Sequence, residues 1–94
     1  MEKIGLYIRT LREEANLPLR KLASSLDIDQ STLSKIERGE RQFTSEMIPI
    51  LANVFSIEYK DLQIRFLKEK LLSDLINQKY ALEALDEVQK ELKR

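Results

Sequence analysis

An all-α protein is what this sequence predicts, and three observations carry the prediction. Only two glycines and two prolines punctuate 94 residues, so little chain is left for turns. Apolar residues recur at steps of three and four along most of the length, the period of a helix with one buried face. From Glu58 to the C-terminus neither Gly nor Pro occurs. With 43% apolar and 34% charged residues, the chain can build one small core under solvated outer faces.

Ile4, Ile8, Leu11 and Ala15 form the stripe of a first helix expected over about Lys3 to Asn16. Asn16-Leu17-Pro18 ends it, because a residue before proline avoids the helical region. Pro18 then sits near the start of a second helix, where a missing amide costs little. Leu19, Leu22, Ala23 and Leu26 give that helix its apolar face. Asp27-Ile28-Asp29 interrupts the pattern as a tight corner, and Asp29 is suited to N-cap a third helix. Leu33 and Ile36 anchor this helix, and Gly39 closes it as a C′ residue. Glu40-Arg41-Gln42-Phe43 is expected as a loop. Thr44 or Ser45 should cap a fourth helix that turns Met47, Leu51, Val54 and Phe55 inward, with Pro49 tolerated in its first turn. Ser56-Ile57 is a joint, and Ser56 can cap the next helix.

The remainder reads as helix to the end, either one element or two broken near Asn77. Leu62, Phe66, Leu67, Leu71, Leu72, Leu75 and Ile76 give it a broad apolar face, and Tyr80, Leu82, Leu85, Val88 and Leu92 continue the stripe. Leu71, Leu75, Gln78, Leu82, Leu85, Gln89 and Leu92 alternate in steps of four and three, a short heptad seam. Tyr7, Tyr59 and Tyr80 are expected to pack with a wet hydroxyl.

Composition narrows the chemistry. The absence of cysteine and histidine removes disulfides, thiol nucleophiles and the common zinc sites, and fits a reducing cytoplasm. No apolar run approaches the ~18 residues of a membrane span, and Met-Glu-Lys-Ile-Gly lacks the apolar core of a signal peptide. No nucleophile–base pair, glycine-rich phosphate loop or metal-ligand cluster stands out, so an enzyme and a cofactor are not expected. Net charge is zero. Residues 1–45 hold eight Lys/Arg against seven Asp/Glu, and residues 46–94 eight against nine, so any positive patch must be local. Arg20, Lys21, Lys35, Arg38 and Arg41 supply one in or just after the second and third helices.

A short helix with a thin apolar anchor and an outer face of hydrogen-bonding side chains suits a reader of the DNA major groove. Leu22-Ala23, then Ile28, then Ser31-Thr32-Leu33-Ser34-Lys35-Ile36-Glu37-Arg38-Gly39 resemble the Cro/phage-repressor (XRE-type) helix-turn-helix family. The resemblance extends more loosely over about residues 4–62. Pro18-Leu19 stands where family members often carry Ser/Thr-Gln, which leaves open the phosphate contact of that Gln. Asp27 stands where Gly is frequent, and aspartate tolerates the left-handed conformation better than most residues.

The resemblance implies a lambda-repressor-like, five-helix DNA-binding domain in residues 1–65 with its motif at about 19–38. It implies a regulator of a bacterial or phage kind, with repressors, restriction–modification controllers and antitoxins all in range. Residues 30–38 would enter the major groove. There Gln30 is the best candidate for reading adenine, Ser31, Thr32 and Ser34 suit phosphate or base edges, and Lys35 suits guanine or phosphate. Arg20, Lys21, Arg38 and Arg41 would neutralise backbone, with the minor groove open to Arg41. Arg12 and Glu37 match positions that pair in the phage-repressor branch. Residues 66–94 exceed what such a domain needs. Leu71, Leu75, Leu82, Leu85, Val88 and Leu92 are expected to form a homodimer that sets two motifs on a two-half-site operator in double-stranded DNA. The alternative is a protein-interaction module on the same fold, with weak or no DNA binding.

Overall fold

In a computed structural model, which describes residues 3–94, the chain forms six helices. They are α1 (Ile4–Glu14), α2 (Leu19–Ser25), α3 (Gln30–Glu37), α4 (Met47–Val54), α5 (Tyr59–Leu75) and α6 (Ala81–Leu92). No strand occurs among the described residues. Helices α1 to α5 enclose one core, in which Ile8, Leu22, Leu33, Ile48, Leu51 and Leu62 are almost fully buried.

The turns that end α1, α2, α3 and α4 share one construction. At the end of α1, Leu17 N–H reaches back to the Arg12 carbonyl and Asn16 N–H to that of Glu13, both at 3.0 Å. Ile28 and Asp27 do the same at the end of α2, Glu40 and Gly39 after α3, and Ile57 and Ser56 after α4. These are Schellman closures, which use up the free carbonyls of a last turn and need a left-handed residue at C′. Asn16, Asp27, Gly39 and Ser56 fill that position with φ of 53°, 56°, 82° and 52°. The following residue is apolar in three of the four, and Leu17, Ile28 and Ile57 all pack on the core. Each of these three closures therefore stops a helix and pins the next segment inward.

Glycine matters most where α1 crosses α3. A Cβ on buried Gly5 would overlap the carbonyl oxygen of Ile36, so only glycine allows the two backbones this approach. The body is also tied to α5. The Glu69 carboxylate accepts the N–H of Ile4 at 2.7 Å and so caps the start of α1 from a distant helix.

Several expectations change. Helix α1 stops at Glu14, and Ala15 becomes an exposed C-cap outside the stripe. Neither Thr44 nor Ser45 caps α4 through its side chain; their carbonyls accept Met47 and Ile48 N–H instead, and Glu46 is the N-cap. The buried face of α4 is turned by one residue, with Ile48 and Ala52 beside Leu51, while Met47, Val54 and Phe55 are only half-buried. Phe43, expected in a loop, is 3% exposed and plugs the core. Ser56 closes α4, and Glu58 is the N-cap of α5. Tyr7 packs under the Arg65 guanidinium, 3.9 Å from ring centroid to Cζ, whereas Tyr59 and Tyr80 face solvent. The chain breaks between α5 and α6, where Asn77 and Tyr80 are left-handed with φ of 64° and 68°. The heptad alternation from Leu71 to Leu92 is thus not one helical seam.

Candidate nucleic-acid interface

The α2–α3 corner is held from beneath by apolar anchors and at its ends by polar groups. Leu33, Ile36 and Glu37 are the buried residues of α3. At the start of α3, the Asp29 carboxylate accepts the Thr32 N–H at 2.7 Å. That hydrogen bond is the main reason its carboxyl sits below the ordinary aspartate value, with Lys35 and Arg41 adding smaller electrostatic help. At the far end, Glu37 takes a fork from Arg12: Nε to Oε2 at 2.8 Å and Nη2 to Oε1 at 3.0 Å. Arg12 Nη1 donates to the Leu17 carbonyl at 3.0 Å, so one guanidinium joins α1, α3 and the α1–α2 turn. The Arg12 side chain is 14% exposed and that of Glu37 5%. The hydrogen bond to Glu37 raises the Arg12 pKa above its ordinary value despite the opposing cost of burial.

With its inner face fixed, α3 turns Gln30, Ser31 and Lys35 to solvent, and leaves Thr32 and Ser34 half-exposed. Gln30 and Arg20 share the rim of an open depression of about 530 Å³ with Ser24, Asp27 and Asp29. Lys21, within α2, and Arg41, in the loop after α3, are both exposed. Arg38 and Ser34 are brought together, since Nη1 donates to Ser34 Oγ at 2.7 Å. Arg38 also donates through Nε to Glu40 at 2.6 Å, a contact that spacing alone gives no reason to single out. The dimerisation candidates lie apart from this surface. Leu71, Leu82, Val88 and Leu92 are 45, 78, 46 and 80% exposed, and Leu75 and Leu85 are half-buried. Among the described residues no cluster of acidic side chains is placed to hold a metal, and no helix is long and apolar enough to cross a membrane.

A helix-turn-helix family model matches residues 8–62, more than half of the chain and all of α2 and α3. The chain belongs to the helix-turn-helix family. Two solved structures of the clp gene regulator ClgR from Corynebacterium glutamicum are similar to it, each at 25% identity. One likeness covers 69% of this chain and 84% of that one with a TM-score of 0.54. The other covers 89% and 83% with a TM-score of 0.56, a share greater than residues 1–65 alone can supply. No curated protein sequence matches. Membership of the helix-turn-helix family, with a gene regulator as structural neighbour, gives the coarse role: DNA binding in the regulation of transcription.

Proposed function

We propose that the protein is a homodimeric, sequence-specific regulator that controls promoters by occupying a two-half-site operator, with α3 of each subunit in a major groove. The observation that carries this reading is the division of α3 into two faces. Leu33, Ile36 and Glu37 are locked inward while Gln30, Ser31 and Lys35 stay free at the surface. A recognition helix needs this arrangement, because base readout requires side chains that are oriented yet unspent. Arg20, Lys21, Arg38 and Arg41 would supply phosphate contacts around it, and Thr32 and Ser34 would flank the helix on the backbone. In a bacterial cell, double-stranded DNA as partner would put the site of action in the cytoplasm.

DNA reading is assigned to residues 1–65 and dimerisation to residues 66–94, rooted in the body by buried Phe66 and by Glu69. The support for dimerisation is that α6 buries none of its residues. A lone helix of this length is marginal in water, so its apolar stripe of Leu82, Leu85, Val88 and Leu92 calls for a covering surface. A second copy is the simplest one, since a two-fold axis buries the same patch twice and sets two recognition helices on one side of DNA.

Sedimentation equilibrium on the full chain and on a chain ending at Asn77 tests the proposal. The full chain should be dimeric at micromolar concentration and the shortened one folded and monomeric. A monomeric full chain would remove the homodimer. The rival reading, an interaction module with little DNA affinity, draws on the zero net charge. It predicts almost no salt-dependent affinity for bulk DNA, whereas the regulator should lose affinity steeply as salt rises.

A further inference from the structure

Two residues at the C-terminal end of α3 are tied to each other and to an acid. Arg38 holds Ser34 Oγ through Nη1 and Glu40 Oε2 through Nε, at 2.7 and 2.6 Å. The ion pair is open to solvent, with 51% of the Arg38 side chain and 55% of the Glu40 side chain exposed. Its geometry comes from the helix closure. Arg38 is the C-cap of α3, Gly39 is left-handed, and Glu40 N–H closes on the Lys35 carbonyl at 2.9 Å. The turn that ends α3 therefore delivers a carboxylate to the guanidinium two residues earlier. Arg38 Nη2 has no acceptor among the described residues.

We propose that Glu40 is a built-in competitor for DNA phosphate, holding and neutralising Arg38 so that this arginine adds less to backbone affinity than a free one would. The proposal rests on the reading that α3 lies against DNA. A phosphate approaching Arg38 must displace the carboxylate or settle beside it, and like charges at that range repel. Each member also secures the other's charge: the hydrogen bond raises the Arg38 pKa and lowers that of Glu40. In a chain of zero net charge, one acid at this place counts for more than it would in a strongly basic protein. Its effect is to shift reliance from phosphate, which every sequence offers, to the base edges within reach of Gln30.

The test is anisotropy of a labelled random-sequence duplex over a salt series. The proteins are the wild type, Glu40→Gln, Arg38→Ala, the double variant and Asp74→Asn, with thermal melts to verify folding. Glu40→Gln should bind about eightfold tighter at ~0.1 M salt, with a slope steeper by about one, the increment of one more neutralised phosphate. Arg38→Ala should bind more weakly. In that background Glu40→Gln should change affinity by less than about twofold, because the two residues act as a unit. Asp74→Asn removes the same charge at the far end of α5 and should change little. No gain from Glu40→Gln would overturn the proposal. So would a gain that survives in Arg38→Ala, since the acid would then act through net charge alone. Absence of any salt-dependent binding by the wild type would instead sink the DNA-binding reading beneath it.

Discussion

At the scale of single residues, the costliest position is Glu37, a carboxylate 5% exposed whose partner is Arg12. Arg12→Met should destabilise the protein by about 3–5 kcal/mol, because a buried charge loses the one counter-ion it has among the described residues. Adding Glu37→Leu should recover most of that loss, and denaturant unfolding of the three proteins measures both effects. Equal stability of Arg12→Met and wild type would show that water or another group compensates Glu37. Gly5→Ala should cost at least ~2 kcal/mol, since the methyl must push against the Ile36 carbonyl rather than a movable side chain. On the outer face, Gln30→Ala should weaken cognate binding by ~1–3 kcal/mol and leave random DNA nearly unchanged. These residues are unequally legible in sequence. Nothing in spacing links Arg12 to Glu37, and only the family resemblance suggests the pair. Gly5 looks like an ordinary helix residue, because its requirement comes from a second backbone distant in sequence.

The elements are defined by how they end. Asp27 and Gly39 are readable as left-handed closures, because both residue types favour that conformation. Ser56 reads instead as a cap for the following helix, because serine is far more familiar there. The shared signal, a C′ residue before an apolar one in Asn16-Leu17, Asp27-Ile28 and Ser56-Ile57, is visible in sequence once the closures are known. Serine has a side chain to strain at φ 52°, so Ser56→Gly should raise stability by about 0.5–1 kcal/mol, read as a higher denaturation midpoint. Sequence places the face of α4 one residue off, because Met47 and Ile48 are both apolar and helical spacing alone does not choose between them. The start of α3 depends on pH. A carboxyl held below its unfolded value stabilises the fold above that value and loses the effect as pH falls through the lower, folded value. Asp29 is such a group, so acidification below its ordinary value of 3.8 should fray α3. Asp29→Ala should lower the thermal midpoint at neutral pH and remove that part of the acid dependence, while Asp29→Ser should retain most of the midpoint.

The whole molecule consists of a compact body and an arm, with extents of 43 × 26 × 21 Å. The body arises from the apolar stripes, which is why its helices are legible. The arm arises from the break at Asn77–Tyr80. There the sequence allows either one helix or two, since asparagine can end or cap a helix and a left-handed tyrosine has no sequence signature. Charge balance belongs to this scale as well. A chain without net positive charge gains little from phosphate alone, so the proposed regulator would have to rely on specific bases and on doubling the contact through a second subunit. Selection of bound duplexes from a random pool tests both requirements at once. The expected outcome is an enriched, two-fold symmetric sequence with half-sites about one helical turn, ~34 Å, apart. Recovery of no preferred sequence, or of a single site without a symmetric mate, would contradict it.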